Sequence, residues 1–234
     1  QPQLSKQQRW RCDVLLHSTS RRAKGYSMSE EQVVYIVDDE SDVRESLVIL
    51  METVGQAFKE YESARAFLED YHEGMRGCLV ADIRMPRMSG LELQEKLIDA
   101  GSLLPIIFIT GHGDISLAVK AMRRGALDFI RKPFREQNLL DRINEALDIE
   151  DGKRKVQMDK QQLVERFDSL SQRELEVLEL VAQGKMSKVV ADDLGISERT
   201  VEAHRSHIMH KLGIHTVAQL IRLKIQIEML SEPE

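Results

Sequence analysis

Cysteine is scarce in this chain of 234 residues, with only Cys12 and Cys78. Two distant cysteines exclude a disulfide framework and suit a reducing compartment, so a cytoplasmic protein is expected. No apolar run approaches the ~20 residues that cross a bilayer, and no membrane partner is expected. Val14-Leu15-Leu16 is too short for the core of a signal peptide. A basic excess is also lacking. Residues 163–230 hold nine Lys/Arg against ten Asp/Glu, so net charge gives no argument for nucleic-acid binding there.

The first 27 residues differ from the rest. Lys6, Arg9, Arg11, Arg21, Arg22 and Lys24 stand against one acid, Asp13, with no periodicity. Residues 1–30 read as a disordered or vector-derived extension, with Met28 opening a more typical beginning. A basic arm touching DNA is the alternative.

Beyond it, apolar runs and amphipathic stretches alternate. Val33-Val34-Tyr35-Ile36-Val37, Cys78-Leu79-Val80-Ala81 and Pro105-Ile106-Ile107-Phe108-Ile109 read as strands covered on both faces. Ala57 to Tyr61 reads as an edge strand and Asp128-Phe129-Ile130 as a short last one. Between them, Val43, Leu47, Leu50 and Met51 mark a helix capped by Ser41. Ala64, Phe67 and Leu68 mark a second, and Leu91, Leu93, Leu97 and Ile98 a third. Ile115, Ala118, Val119 and Met122 line a fourth, and Leu139, Ile143 and Ala146 a fifth. Five strand–helix alternations in about 120 residues predict a doubly wound α/β domain, a five-stranded parallel sheet in the order 2-1-3-4-5. Its span is residues 31–148. Polar residues 149–164 read as a linker. Residues 165–234 read as an all-α, four-helix domain punctuated by Gly184, Gly195 and Gly213.

Ligands of such a sheet gather at the carboxyl ends of its strands. Asp38 and Asp39 end the first strand, Asp82 the third and Thr110 the fourth; Lys132 follows the fifth. A lone Asp at a strand end is ordinarily a turn residue. Three carboxylates crowded on neighbouring strands are another matter, because like charges raise each other's pKa unless a cation intervenes. Hard oxygen ligands suit Mg²⁺. Asp82 as nucleophile, with Lys132 and Thr110 to meet anionic oxygens, suits a phosphoryl group held on a carboxylate.

The helical part opens with a capping box, Ser171 and Glu174. A helix from Ser187 to Leu194, the turn Gly195-Ile196-Ser197 and a helix from about Arg199 to Leu212 form a helix–turn–helix, whose second helix suits a major groove. Val201, His204, Ile208 and Leu212 fall inward; Glu202, Arg205, Ser206 and Met209 fall outward. His204 and His207 lack a Cys or carboxylate to complete a metal site.

Residues 31–148 resemble the receiver domain of bacterial two-component response regulators. The match lies in Val37-Asp38-Asp39-Glu40, in Asp82 through Gly90, in Phe108 through Asp114, and in Phe129-Ile130-Arg131-Lys132-Pro133-Phe134. Residues 165–229 resemble the LuxR-type helix-turn-helix, through Arg173-Glu174, Val181-Ala182-Gln183-Gly184, Ser187-Lys188, Ile196-Ser197, Thr200-Val201, His204-Arg205 and Lys211-Leu212. Together they resemble regulators of the NarL/FixJ type. That resemblance implies phosphorylation of Asp82 by a sensor histidine kinase. Mg²⁺ would be held directly by Asp39, Asp82 and the backbone carbonyl of Arg84, and by Asp38 through water. It implies a cis peptide at Lys132–Pro133 and a switch pair in Thr110 and Phe129, with Phe where some members have Tyr. It also implies homodimerisation, promoter DNA as ligand, RNA polymerase as partner and transcription regulation, commonly activation, as output. Lys188, Arg199, Thr200 and Lys211 are the expected phosphate contacts. Glu202, Ala203, Arg205 and Ser206 are the candidates for base edges; many members carry Lys where Glu202 stands. Two other readings compete. One is a phosphatase turning over through Asp82, but the position two residues on, where such enzymes place a second acid, holds Arg84. The other is a receiver acting through protein contacts alone.

Overall fold

The computed structural model describes residues 31–111 and 115–231, so the extension expected over residues 1–30 and the loop residues His112, Gly113 and Asp114 lie outside the described residues. The chain divides into two compact units that part between Val156 and Gln157. In the first, five strands alternate with helices: β1 (Val33–Val37), α1 (Ser41–Val54), β2 (Phe58–Tyr61), α2 (Ala64–Asp70), β3 (Gly77–Asp82), α3 (Gly90–Asp99), β4 (Ile106–Thr110), α4 (Ile115–Arg123) and β5 (Asp128–Arg131). All strand pairs are parallel, in the order β2-β1-β3-β4-β5. The register sets Val37 beside Ala81, Asp82 beside Ile109 and Thr110 beside Arg131. The carboxyl ends of β1, β3, β4 and β5 therefore share one edge, as expected of a doubly wound sheet.

Alternate residues of each strand face opposite layers. Tyr35, Val37, Leu79, Ala81 and Phe108 pack on one side with Phe67, Leu93 and Leu97. Val34, Ile36, Cys78, Val80, Ile107 and Ile109 pack on the other with Leu47, Leu139 and Ile143. Phe67 stands edge-on to Tyr35 and Tyr61, at 5.8 and 5.2 Å between ring centroids, the arrangement their quadrupoles favour. Burial in the second layer pushes the Cys78 thiol up to about 12, which leaves it an inert core residue.

Two expectations are corrected. Ser41 is the first helical residue of α1 and not its cap; Glu40 holds the cap position, with no side-chain cap hydrogen bond. The reason is local: Asp38 Oδ1 accepts from the Glu40 amide at 2.9 Å, so an Asx-type turn closes before the helix. Ile98, Val119 and Met122 are exposed; among the described residues the buried position of α4 is Ala121, and Val119, two residues before it, lies on the far side of that helix. The stretch read as a linker, 149–164, is helical throughout, part of α5 (Glu136–Asp168), and the division between the two units falls within it. Glu150 is fully buried and accepts from Arg154 Nε at 2.5 Å and from Gln32 Nε2 at 2.9 Å. Arg154 also donates to the Met75 carbonyl at 2.6 Å. A charged stretch thus stays helical because its inward-facing ions are paired against the sheet's amino-terminal edge.

The second unit carries α6 (Gln172–Ala182), α7 (Ser187–Leu194), α8 (Glu198–Leu212) and α9 (Val217–Ser231). Leu163, Phe167 and Leu170 share its core with Val177, Val181, Val190, Val201, Ile208, Leu212 and Leu220. The capping box of Ser171 and Glu174 is formed, and Ser197 caps α8 by accepting from the Thr200 amide.

Candidate functional site

At the shared edge of the first unit, Asp82 ends β3 and is buried. The turn after it is tight. The Gly90 amide donates to the Ile83 carbonyl at 3.0 Å, and a Cβ on Gly90 would lie 2.4 Å from the Asp82 carbonyl oxygen. Only glycine lets α3 start this close to β3. Ser89 and Glu92 form a capping box that fixes the same helix start.

Asp38 follows β1 and is buried; Lys132 follows β5 and is half-buried. Lys132 Nζ donates to Asp38 Oδ2 at 2.8 Å and lies 3.8 Å from Asp82 Oδ2 and 3.7 Å from Glu40 Oε1. One ammonium thus faces three carboxylates and makes a close contact with one. Asp82 accepts a long bond, 3.3 Å, from the Arg84 amide. Burial raises the pKa of its carboxyl and the Asp38 charge adds to the rise; Arg84's amide and Lys132 oppose it. The result is a carboxylate under-compensated for its charge, facing other acids.

Among the described residues, Asp38, Glu40 and Asp82 offer oxygens within 4.8 Å of one another. Asp39, expected as a direct ligand, is exposed and outside this cluster, and Glu40 stands in it. Glu40 is exposed as well, and the sequence signal for it was the third acid in a row. Three hard oxygen donors, with charge in excess of what Lys132 balances, fit a small divalent cation such as Mg²⁺. Thr110 is buried at the end of β4, its carbonyl accepting from the Lys132 amide at 2.7 Å. Phe129 is half-buried against the first core layer, and the Lys132–Pro133 peptide is cis.

In the second unit, Lys188, Arg199, Ala203 and Ser206 are exposed. The Thr200 hydroxyl pairs with Ser197 Oγ at 2.7 Å. Lys211 is committed elsewhere: it donates to Glu174 Oε2 at 2.7 Å and to the Ser169 carbonyl at 2.9 Å. Burial raises the Glu174 pKa, but the bonds from Lys211 and the Ser171 amide outweigh it and hold the carboxyl at about 2. Glu202 and Arg205 meet at Ser187, which the sequence marked as the start of a helix but not as a site residue.

Residues 34–144 match the family model described as the response regulator receiver domain, and residues 168–224 that of bacterial regulatory proteins, luxR family. The chain belongs to the two-component response regulators, with a receiver domain and a LuxR-type DNA-binding domain. Among its relatives, response regulator protein TmoT of Ectopseudomonas mendocina is 46% identical over 194 residues, covering 83% of this chain and 88% of TmoT. Transcriptional regulatory protein FixJ of Azorhizobium caulinodans is 40% identical over 198 residues, 85% of this chain and 94% of FixJ. The structure is similar to that of response regulator StyR, with a TM-score of 0.79 at 43% identity over 84% of this chain and 100% of StyR. Full-length FixJ from B. japonicum gives a TM-score of 0.52 at 35% identity over 86% of this chain and 99% of that one. Among the described residues no helix is long and apolar enough to cross a membrane.

Proposed function

We propose that a sensor histidine kinase phosphorylates Asp82 and that the phosphorylated chain dimerises and binds promoter DNA to regulate transcription. The observation that carries this reading is the convergence of Asp82, Asp38, Glu40 and Lys132 on one sheet edge. In the transfer, an Asp82 oxygen forms a bond to phosphorus as the phosphorus–nitrogen bond of the donor imidazole breaks; that nitrogen keeps the electron pair. Asp39 and Asp82, with the Arg84 carbonyl, would hold Mg²⁺ directly and Asp38 through water, with Glu40 beside them; the ion's charge would neutralise phosphoryl oxygens. Lys132 would exchange its Asp38 contact for a phosphoryl oxygen, and the Thr110 hydroxyl would donate to another.

Lacking a hydroxyl, Phe129 would switch pose by packing alone as Thr110 moves inward, shifting a pre-existing equilibrium on the face of α4 and β5. Exposed Val119 and Met122 on α4 supply apolar area for a second copy. The second unit would set α8 in a major groove, with Lys188, Arg199 and Thr200 on phosphates and one Lys211 N–H left for another. Glu202, Ala203, Arg205 and Ser206 would face base edges. The chain acts in the cytoplasm as a stoichiometric switch rather than a turnover enzyme, most simply activating transcription with RNA polymerase. Incubation with a small-molecule phosphodonor and Mg²⁺ tests it: one acyl phosphate per chain, absent in Asp82→Asn, with more dimer and tighter DNA binding. An unmodified Asp82 after full exposure to the donor would overturn the mechanism.

A further inference from the structure

Ser187 opens α7 and is buried, yet its hydroxyl reaches across to α8. It donates to Glu202 Oε1 and accepts from Arg205 NH1 at 2.8 Å. Arg205 NH1 lies 3.8 Å from Glu202 Oε1. One hydroxyl therefore links the carboxylate and the guanidinium, and each of the three groups restrains the other two. We propose that Arg205 reads a guanine in each half-site, and that Ser187 and Glu202 are positioning residues that hold its guanidinium for that contact. The inference rests on the DNA-binding reading above.

The physical case has three parts. A guanidinium carries five N–H donors in a planar fork. Fixing NH1 sets the plane and leaves the groups on Nε and NH2, a pair matched in spacing to guanine O6 and N7. Neutralisation by Glu202 makes Arg205 a poor phosphate contact, because phosphate binding draws on net positive charge and released counterions. Exposed Lys188 and Arg199 supply such charge from the flanks. Finally, Glu202 is exposed on the outward face of α8, where a free carboxylate would repel DNA. Its bond to Ser187 gives that acid a task compatible with the groove: Oε1 is held on the hydroxyl that also takes Arg205 NH1, so the carboxylate directs the neighbouring cation.

The test uses the full chain, with and without phosphodonor. Sites are selected from random duplexes, and each position of the selected site is then replaced by every base. The wild type should select a guanine whose replacement weakens binding about tenfold or more, the scale of a bidentate pair. Arg205→Ala and Arg205→Lys should flatten preference at that position alone. Glu202→Gln and Ser187→Ala should reduce the same preference about threefold or more, while the other positions of the selected site keep theirs. Uniform loss of affinity in Arg205→Ala with a shallower salt dependence would make it a phosphate contact and overturn the proposal. So would a cytosine preference lost in Glu202→Gln at a position Arg205→Ala leaves intact. A Ser187→Ala chain that melts lower but keeps its base preference would make the serine merely structural and also overturn it. Absence of any sequence preference in the wild type would overturn the DNA-binding reading itself, a distinct result.

Discussion

Asp82 and Glu174 are both buried carboxylates that face a lysine, one in each unit, and their acidities move in opposite directions. Burial works the same way on both, favouring the neutral form. The difference lies in what the lysine does. Lys211 donates directly to Glu174 at 2.7 Å, and the Ser171 amide adds a second bond of 2.7 Å. Lys132 spends its short contact on Asp38 and stays 3.8 Å from Asp82, while Asp38 adds repulsion. A satisfied buried carboxylate is a structural clamp, and an under-compensated one is a site that gains by accepting cationic or covalent partners.

The largest test of this contrast is Asp82→Asn. It should abolish acyl-phosphate formation, read by intact mass after phosphodonor treatment. The same change removes a charge beside Asp38 and should stabilise the receiver by about 1 kcal/mol in denaturant melts. A destabilised Asp82→Asn receiver would break the contrast. Next, Lys132→Ala should slow phosphoryl uptake roughly 100-fold, the scale of one lost charge-stabilising donor. Glu174→Ala should leave uptake untouched while destabilising the second unit by about 2 kcal/mol, since it strands Lys211 and opens the α6 cap.

The wild-type second unit should also respond to acid. The Glu174 carboxyl sits at about 2 when folded against an ordinary 4.5. Its contribution is therefore complete above about pH 4.5 and fades as pH falls toward 2. Far-ultraviolet melts across that range would show it, and Glu174→Gln should flatten the slope. The smallest effect belongs to Glu40→Gln, which should raise the Mg²⁺ needed for half-maximal uptake by about tenfold or less. An unchanged requirement would take Glu40 out of the ion's surroundings.

Much of this was legible before any coordinates. Continuous apolar runs ending in Asp38, Asp82 and Thr110 announce buried strands, and the crossover rule puts their ends on one edge. Other features were not legible. Three consecutive acids look alike, and nothing in their order says that the Glu40 carboxylate lies beside those of Asp38 and Asp82. That Lys211 also holds Glu174 was hidden because Glu174 is 37 positions away and two helices earlier. That residues 149–164 are helical throughout was hidden because Arg154 and Glu150 find partners at Met75 and Gln32, far off in sequence.

The sequence by itself determined the strand–helix alternation, the capping box at Ser171, the parallel sheet and the residue types at its edge. Those depend on periodicity and local backbone chemistry, which a chain carries along its length. Only the tertiary structure decided that Lys132 leaves Asp82 under-compensated, that Lys211 clamps Glu174, and that Ser187 links Glu202 to Arg205. These are matters of an ångström between residues distant in the chain, and at that scale one hydrogen bond separates a structural ion pair from a reactive carboxylate.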